Sequence, residues 1–384
     1  MLFFHLSDLH IGAKLYDRDL LEDQRTVLTE IAQLAEKHQP DAIVIAGDVY
    51  DRSIPSVEAV ALLDDFLGML RKSAPEAAIL VISGNHDSPQ RLDTFREELQ
   101  GQKIWMIGNP PMREGEKIEC VTLPDEYGTV NFYLLPFVRP GMVRPIVGAK
   151  DNGDNLSYAE AYRRLIATAE VNPAERNVLV SHQFFLPDDG DADSVERAEN
   201  EVKQVGNIDV IPSSVISEFD YAALGHLHKP MKAGGESMRY CGTPMAYSLS
   251  EEGQEKGVLM VSLGEKGNVQ VTRLPLHPPH LVRRIRGTKQ ELTDGQSSDY
   301  VAVQLTDASA EEMTRLREIL RQSYPNMLEL RRDAEEFTLQ EVSAEALPSM
   351  SPYELCMQFA AGRLKEEEQT LLREIINTLQ EESL

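Results

Sequence analysis

Five short polar peptides contain the residue types that bind metal ions and transfer protons. They are Asp8-Leu9-His10, Gly47-Asp48 with Asp51, Gly84-Asn85-His86-Asp87, Ser181-His182 and Gly225-His226-Leu227-His228. Carboxylate and imidazole ligands without thiolates suit Mn²⁺, Fe²⁺, Zn²⁺ or Mg²⁺. Two such ions about 3.5–4 Å apart are a common device for cleaving phosphate esters. The set therefore predicts a two-metal site for phosphate-ester chemistry.

Each peptide directly follows an apolar run that we interpret as a β-strand. The runs are Leu2–Leu6, Ala42–Ala46, Ile79–Ile82, Val178–Ser181 and Tyr221–Leu224. In open α/β sheets, ligands bind in the crevice at the carboxyl ends of the strands. If these strands lie side by side, seven candidate metal ligands meet at one edge: Asp8, His10, Asp48, Asn85, His182, His226 and His228.

Charge and position suggest separate roles within this set. One carboxylate, for which Asp48 is the best candidate, can bridge both cations. Two divalent cations carry a charge of +4, and the carboxylates of Asp8 and Asp48 carry −2. The net charge of the site is therefore positive, and it attracts an anionic substrate group. His86, beside Asn85, would contact the scissile phosphate or protonate the leaving oxygen.

Each feature also has an ordinary structural explanation. An aspartate or histidine at a strand end often caps a loop, and only the ordered set of five peptides favours a metal centre. His5 is more typical of a buried core histidine than of a ligand. A basic cluster is formed by Arg283, Arg284, Arg286 and Lys289. It is either a solvated face or a nucleic-acid contact, and both interpretations stay open.

Composition is that of a globular protein without a membrane anchor. No run of about eighteen apolar residues exists, so we expect no transmembrane helix. The residues 1–8 lack a basic segment and are interpreted as a strand rather than a signal peptide. Cys120, Cys241 and Cys356 lie far apart, which is typical of a reducing cytosol without a cysteine metal site. The net charge of −25 argues against a protein that coats nucleic acid by itself.

Strands alternate with helical segments through the first two-thirds of the chain. Apolar spacing predicts helices at Leu20–His38 and Ser56–Leu70, so the chain opens βαβαβ, which predicts a layered α/β fold. Strands are also predicted at Met238–Cys241, Val258–Leu263 and Val269–Pro275, with Gly-rich turns nearby. We expect these three to be antiparallel, which makes the sheets mixed.

Breaks in composition divide the chain into three predicted parts. Residues 1–276 form the main domain, residues 280–340 a small α/β module, and residues 349–384 a helical tail. Within the module, the spacing from Ser309 to Glu312 is that of a capping box and should open a helix.

The tail contains a predicted helix start at Ser351-Pro352, a break at Gly362, and one apolar stripe. The stripe either packs on the main body or docks a partner, and the hinge-like segment from Pro348 to Pro352 favours docking. The stripe consists of Leu371, Leu372, Ile375, Ile376 and Leu379.

The ordered motifs D-x-H, G-D-x-x-D, G-N-H-D, x-H and G-H-x-H resemble those of the calcineurin-like metallophosphoesterases. Within that family, four segments are similar to the nuclease subunits of bacterial DNA end-processing complexes: Leu6–Gly12, Gly47–Arg52, Gly84–Ser88 and Ala223–His228. The resemblance is dense over the main domain and looser beyond it. It implies a layered fold with mixed sheets, a capping domain that orients DNA, and a C-terminal helical tail.

The resemblance also implies roles for individual residues. One metal would be held by Asp8, His10, Asp48 and His228, and the other by Asp48, Asn85, His182 and His226. His86 would be the catalytic histidine that is not a ligand. Some related nucleases have a histidine where this chain has Asp51, so the role of Asp51 stays open. Asp51 and Asp87 are candidates for residues that hydrogen-bond the metal ligands without binding a metal themselves.

Family members prefer Mn²⁺, degrade double-stranded DNA from the 3′ side, and cut hairpins and single strands. They form homodimers, and their C-terminal helices bind an ABC-type, SMC-like ATPase. The resemblance therefore implies a cytoplasmic, nucleoid-associated enzyme of DNA repair, recombination and replication. Its candidate DNA contacts are Arg283, Arg284 and Arg286.

Two other functions remain possible at this stage. Phosphomonoesterases and cyclic-nucleotide phosphodiesterases use the same metal set, although a small substrate does not require the extra module and tail. A non-catalytic scaffold could keep the same fold, although such relatives typically lose ligands and this chain has all seven.

Overall fold

The computed structural model describes residues 1–188, 190, 210–333, 357 and 366–381. Residues Met1–Arg332 form one compact unit, and Asp333–Leu384 form a second. Within the described ranges, no helix combines the length and the apolar character that crossing a membrane requires.

The first six-stranded sheet contains the strands that precede three of the polar peptides. Its strand Leu2–Leu6 is antiparallel to one neighbour and parallel to the other. Its central strands are continuous apolar runs because both faces of the sheet are covered. The order across the sheet is Val269–Pro275, Gly257–Leu263, Leu2–Leu6, Ala42–Ala46, Ala78–Ile82 and Ile104–Ile107.

The second six-stranded sheet contains the strands of the other two peptides. Arg176–His182 and Tyr221–Gly225 are parallel neighbours, and their register places Gly225 opposite His182. The last two polar peptides therefore lie side by side. The order across this sheet is Met231–Lys232, Met238–Tyr240, Tyr221–Gly225, Arg176–His182, Gly128–Leu135 and Glu119–Asp125.

The two sheets pack face to face, and helices cover both outer faces. Alternate residues of both sheets, such as Phe3 and Val180, form the core between them. The outer helices are Leu21–His38 and Val57–Ser73 on the first sheet, and Pro140–Val147 and Tyr158–Ala167 on the second. The layered α/β fold with mixed sheets is thus confirmed. Ser56 also caps its helix as expected, because its hydroxyl accepts the N–H of Ala59 at 3.2 Å.

His5 lies inside this sandwich and joins the two sheets. Its Nδ1 is 3.0 Å from the hydroxyl of Tyr221, and its Nε2 is 3.1 Å from the carbonyl oxygen of Leu224. Burial lowers the pKa of His5 to about 3, so the ring is neutral. The interpretation of His5 as a core residue is confirmed.

Several short elements complete the main part of the first unit. Two short helices, Pro89–Leu92 and Arg96–Gln100, follow the third polar peptide. The short strands are Lys14–Leu15, Arg18–Asp19, Phe185–Leu186 and Ile211–Pro212, and the 3₁₀ helices are Ser213–Ile216 and Leu249–Glu251.

The last part of the first unit is a three-stranded parallel sheet with two helices. Val301 and Val303 face the helices, whereas Tyr300 and Ala302 belong to the core beneath the first six-stranded sheet. The strands are Val282–Gly287, Tyr300–Leu305 and Met327–Arg332, and the helices are Lys289–Asp294 and Met313–Ser323. We call residues 282–332 the small module.

Two expectations are wrong. Met238–Tyr240 lies in the second sheet, parallel to Tyr221–Gly225, because the segment 241–256 carries the chain from one sheet to the other. The helix expected to open at Ser309 begins at Met313. There the carboxylate of Glu312 accepts the N–H of Ser309 at 2.9 Å, and this bond holds the turn before the helix instead.

The second unit is described at residue 357 and over the helix Glu366–Glu381. The predicted helix start at Ser351-Pro352 and the break at Gly362 lie outside the described residues. Of the apolar stripe, Leu371 and Ile375 are exposed, and Leu372 and Ile376 are half-buried. The side chain of Leu379 also lies outside the described part.

Candidate metal centre

The five polar peptides meet at one end of the two sheets. Asp8, Asp48 and Asn85 follow parallel strands of the first sheet, while His182 and His226 lie at the ends of neighbouring strands of the second. The N–H of Asp8 donates to the carbonyl oxygen of Gly47 at 2.9 Å and ties the first two peptides together.

The backbone at this end is strained. Asp8, His10, Asp48 and His226 have φ angles of 52°, 41°, 47° and 103°. A left-handed conformation costs a non-glycine residue about 1–3 kcal/mol and persists where the surrounding structure enforces it. Four such residues in one cluster indicate that the fold directs their side chains to a common point.

Asp48 lies at the middle of the cluster. Its Oδ2 is 3.2 Å from Nε2 of His182, 3.8 Å from Nε2 of His10 and 3.9 Å from Nε2 of His86. Burial raises the pKa of Asp48, but the imidazoles of His182 and His86 lower it further, so the net direction is well below its usual value. One buried carboxylate oxygen thus faces three imidazole rings, which is the position that a bridging ligand needs.

On one side of Asp48, three buried groups face each other. Ligand atoms of Asp8, His10 and His228 all lie within 4.8 Å of one another. The Nε2 atoms of His10 and His228 are only 3.1 Å apart. These are three of the four side chains that the motifs assigned to one metal, and Asp48 is the fourth.

On the other side of Asp48, the amide oxygen of Asn85 is the meeting point. This oxygen is 3.1 Å from Nε2 of His182 and 3.0 Å from Nδ1 of His226. The carboxylate of Asp8 accepts the N–H of His226 at 3.0 Å and links the two sides. The four side chains predicted for the second metal therefore also converge.

The donor set fits divalent cations. His182 donates from Nδ1 to the carbonyl oxygen of Ala46 at 2.8 Å, so its Nε2 faces the oxygens of Asp48 and Asn85. Burial lowers the pKa of His182, but the charge of Asp48 raises it, to about 9. Metal–ligand bonds of about 2.1 Å at right angles put neighbouring ligand atoms about 3 Å apart, close to these separations.

His86 stands at the open side of the cluster. Its Nδ1 donates to the carbonyl oxygen of Asp51 at 2.9 Å, and its N–H donates to Oδ1 of Asp48 at 2.8 Å. The first bond fixes the ring, and Nε2 then lies 3.9 Å from Oδ2 of Asp48. From this position Nε2 can transfer a proton to or from a group bound at the metal centre.

Asp87 and Asp51 act on the site in different ways. Asp87 is buried and accepts three backbone N–H groups, from Val49, Tyr50 and Gly84, at 2.8–3.1 Å. Burial raises its pKa to about 6. It joins the second and third polar peptides. Asp51 contributes its carbonyl oxygen to His86, while its carboxylate is 4.0 Å from Nδ1 of His10. That distance is too long for a hydrogen bond.

Two glycines of the motifs are required by close packing. A Cβ on Gly84 would lie 2.1 Å from Oδ1 of Asp48, and one on Gly225 would lie 2.0 Å from the carbonyl oxygen of Ala46. Both distances are far inside van der Waals contact. The site can form only because neighbouring backbones touch at these points.

Several supporting residues had no signal in the sequence. The buried carboxylate of Glu251 is 3.2 Å from Nδ1 of His228 and 2.6 Å from the ammonium of Lys256. Burial raises the pKa of Glu251, but the charge of Lys256 lowers it further, below its usual value. Gln24 donates to the carbonyl oxygen of His10 at 2.7 Å. Nothing in a stretch of ordinary acidic and polar residues marks these positions.

The predicted DNA-contact residues lie on the strand Val282–Gly287 of the small module. Arg283 is paired with Asp299 at 2.8 Å, and Arg284 is paired with Glu252 at 3.1 Å. Lys289 is paired with Glu312 at 2.9 Å. The basic cluster of the sequence is therefore largely neutralised by acids distant in sequence. Arg286, which shares this strand, remains a predicted contact.

Comparison with known proteins agrees with this geometry. A family model described as calcineurin-like phosphoesterase matches residues 1–230. The chain belongs to the calcineurin-like phosphoesterase family. It is a metal-dependent phosphoesterase, a hydrolase, and the predicted family membership is confirmed.

The chain is also similar to the SbcD subunit of the nuclease SbcCD from Staphylococcus epidermidis. The two are 29% identical over 339 residues, which are 86% of this chain and 85% of that protein. The resemblance to bacterial nuclease subunits, first found in short motifs, thus extends over most of both chains.

Two solved structures are similar at a lower level. The crystal structure of TT1561 of Thermus thermophilus has a TM-score of 0.39 and 13% identity, covering 71% of this chain and 98% of that one. A dimetal phosphatase from Danio rerio, LOC 393393, has a TM-score of 0.39 and 12% identity, covering 72% and 99%. Scores this low support no inference about this chain.

Proposed function

We propose that this protein is a DNA nuclease that hydrolyses phosphodiesters with two divalent metal ions, Mn²⁺ being the preferred metal. Its reactions would be 3′–5′ exonuclease action on double strands and endonuclease action on single strands and hairpins. The observation that carries the proposal is the convergence of seven candidate metal ligands, with Asp48 at their centre. The similarity to the SbcD subunit of the nuclease SbcCD supports DNA as the substrate.

In this reaction, different residues of the chain would bind the metals and transfer the proton. Asp8, His10, Asp48 and His228 would hold one cation, and Asp48, Asn85, His182 and His226 the other. When bound, the cations supply positive charge for the phosphate and lower the pKa of a water nucleophile. His86 would hold a proton at Nε2 and give it to the leaving oxygen, because its Nδ1 is already committed to Asp51.

The partners follow the same resemblance. The tail helix Glu366–Glu381 would bind an SbcC-type, ABC/SMC-like ATPase, and its exposed Leu371 and Ile375 support a docking role. A homodimer is supported by exposed apolar side chains at the start of a surface helix, Ile54 and Val57, which are 72% and 80% exposed.

The small module would orient DNA, with Arg283, Arg284 and Arg286 as contacts. The complex would act in the cytoplasm, at the nucleoid, in DNA repair, recombination and replication.

The test is Mn²⁺-dependent digestion of a hairpin-ended duplex, with and without the ATPase. It is compared with hydrolysis of a chromogenic phosphomonoester, a chromogenic phosphodiester and a cyclic nucleotide. The proposal expects hairpin cleavage that requires Mn²⁺ and disappears in Asp48→Ala. Hydrolysis of small phosphomonoesters or cyclic nucleotides without DNA cleavage in either preparation would favour the small-substrate enzymes instead. No hydrolysis of any substrate in the presence of Mn²⁺ and the ATPase would favour a scaffold.

A further inference from the structure

A buried carboxylate contacts the His228 ring on the side that faces away from the metal ligands. One nitrogen of its ring, Nε2, faces His10 within the cluster, and the other, Nδ1, lies 3.2 Å from Oε1 of Glu251. A neutral imidazole has one N–H and one lone pair, and the group that accepts the N–H decides which nitrogen carries it. Glu251 therefore favours the proton on Nδ1 and the lone pair on Nε2.

Glu251 is itself fixed in one orientation. Its Oε2 accepts from the ammonium of Lys256 at 2.6 Å and from the hydroxyl of Thr243 at 2.8 Å, while its Oε1 also accepts the N–H of Tyr247 at 3.1 Å. Glu251 and Lys256 are 2% and 6% exposed. Burying two charges is costly, and that cost is offset only where geometry and additional hydrogen bonds are good. The pair meets that condition.

The same pair also holds the backbone of His228. Lys256 lies 3.3 Å from the carbonyl oxygen of His228, and the N–H of Thr243 donates to that oxygen at 3.2 Å. The ring and the main chain of one residue are thus held by a single network. A network that served only to close the loop would not need to reach the ring nitrogen.

We propose that Glu251 is a positioning residue of the metal centre. Its carboxylate fixes the tautomer and the orientation of His228, and Lys256 supplies the countercharge that keeps this carboxylate buried. Outer carboxylates of this kind typically change metal affinity or activity by about 10–100-fold when removed. The proposal rests on the metal centre proposed above and adds one residue to it.

Two double variants differ only in the acceptor that they offer to His228. Glu251→Met/Lys256→Met removes both charges and the acceptor, whereas Glu251→Gln/Lys256→Met removes both charges and keeps an amide oxygen. Replacing a buried ion pair by neutral side chains of similar volume is often tolerated, so both variants should fold. Glu252→Gln, in the same turn but bonded to Arg284, is the matched control.

Mn²⁺ binding is measured by calorimetry on chelator-treated protein, and the His228 tautomer by ¹H–¹⁵N spectra of the metal-free, histidine-labelled chain. We expect the Met variant to bind one ion about 10–100-fold more weakly and to lose the Nδ1–H tautomer. The Gln variant should regain both properties, and Glu252→Gln should match wild type.

Wild-type affinity and tautomer in the Met variant would overturn the proposal. An equal loss in the Met and Gln variants would do the same, because the acceptor would then be irrelevant. Failure of wild type to bind Mn²⁺ would instead overturn the metal centre, while the tautomer of the metal-free chain would still test Glu251.

Discussion

At the scale of single residues, the site is defined by nitrogen and oxygen atoms of distant side chains that lie close together. The Nε2 atoms of His10 and His228 face each other at 3.1 Å, and Oδ2 of Asp48 faces three rings. Residue types and order named the seven candidate ligands, and the structure brings these side chains together, because each follows a strand that the sequence marks clearly.

The supporting residues were not predictable in the same way. Glu251 lies in the acidic run Glu251-Glu252, and only the fold shows that one of the two is buried against Lys256 while the other bonds Arg284. Burial of a charge depends on contacts between distant segments, which a local pattern does not contain.

His86 provides the clearest residue-scale prediction. Replacing it with alanine removes the proton donor but none of the metal ligands. We expect His86→Ala to bind two Mn²⁺ ions with nearly wild-type affinity and to lose about 10²–10⁴-fold in rate, the range of a general acid–base group. Hydrolysis rates and calorimetric binding would be compared for wild type, His86→Ala and the surface variant His277→Ala. An unchanged rate in His86→Ala would remove this residue from the reaction.

At the scale of elements, strand ends and glycines decide whether the two sheets can meet. The strands before the polar peptides were predicted within a few residues. Ile104–Ile107 and Glu119–Asp125 were missed, because the first is short and the second carries Pro124 and polar residues that weaken its alternation. Met238–Tyr240 was assigned to the wrong group, since sequence proximity does not determine which sheet a strand joins.

Gly225 and Gly68 give a matched pair of alanine substitutions. A Cβ at Gly225 would lie 2.0 Å from the carbonyl oxygen of Ala46, whereas nothing lies within 4 Å of one at Gly68, inside the helix Val57–Ser73. We expect Gly225→Ala to lose Mn²⁺ binding and stability together. Gly68→Ala should bind Mn²⁺ normally. Its free energy of unfolding should rise by about 0.5–1 kcal/mol, because alanine is more stable than glycine inside a helix. Calorimetry and urea unfolding measure both effects, and normal binding by Gly225→Ala would contradict the packing argument.

A second element-scale prediction concerns the opposite end of the sheets. Asp125 is paired with the buried guanidinium of Arg176 and accepts from the amino terminus of Met1 at 2.6 Å, which joins the two sheets. The Arg176 guanidinium holds the pKa of Asp125 well below its usual range. This stabilisation is therefore present above the unfolded pKa of about 3.9 and is lost as the pH falls through the lower folded value.

Asp125→Asn should destabilise the protein by about 3 kcal/mol at pH 7, because it leaves Arg176 buried without a countercharge. The difference from wild type should shrink at pH 3, below the unfolded pKa of about 3.9, because Asp125 then takes up a proton when the wild-type chain unfolds. Urea unfolding at pH 7, 5 and 3 measures this difference in the free energy of unfolding. Glu76→Gln, which breaks an exposed pair with Lys103, should change the free energy of unfolding far less than Asp125→Asn does. A pH-independent difference for Asp125→Asn would refute the assignment.

At the scale of the whole molecule, the chain is strongly acidic, whereas its proposed substrate is a polyanion. The net charge is −25, and Arg283 and Arg284 are already paired with acids. A sequence-based count identified the basic cluster but not its neutralisation, because Asp299 and Glu252 are distant in sequence. The ATPase partner would then supply the positive surface that DNA requires.

The isolated chain should accordingly bind duplex DNA weakly at about 150 mM salt, with a dissociation constant in the range of about 10⁻⁶–10⁻⁴ M that is typical of non-specific contacts. Fluorescence anisotropy with a labelled duplex, at several salt concentrations and with the ATPase added, measures this. Nanomolar binding by the chain alone would contradict the assignment of DNA capture to the partner.

The central claim is that seven side chains, with Asp48 at their centre, hold two divalent cations. The most direct test is the number of Mn²⁺ ions bound per chain after chelator treatment, measured for wild type and Asp48→Ala. We predict two ions for wild type and loss of high-affinity binding at both sites in Asp48→Ala, because its carboxylate faces both groups of ligands. A wild-type chain that binds fewer than two ions, or an Asp48→Ala variant that still binds two with wild-type affinity, would contradict the account.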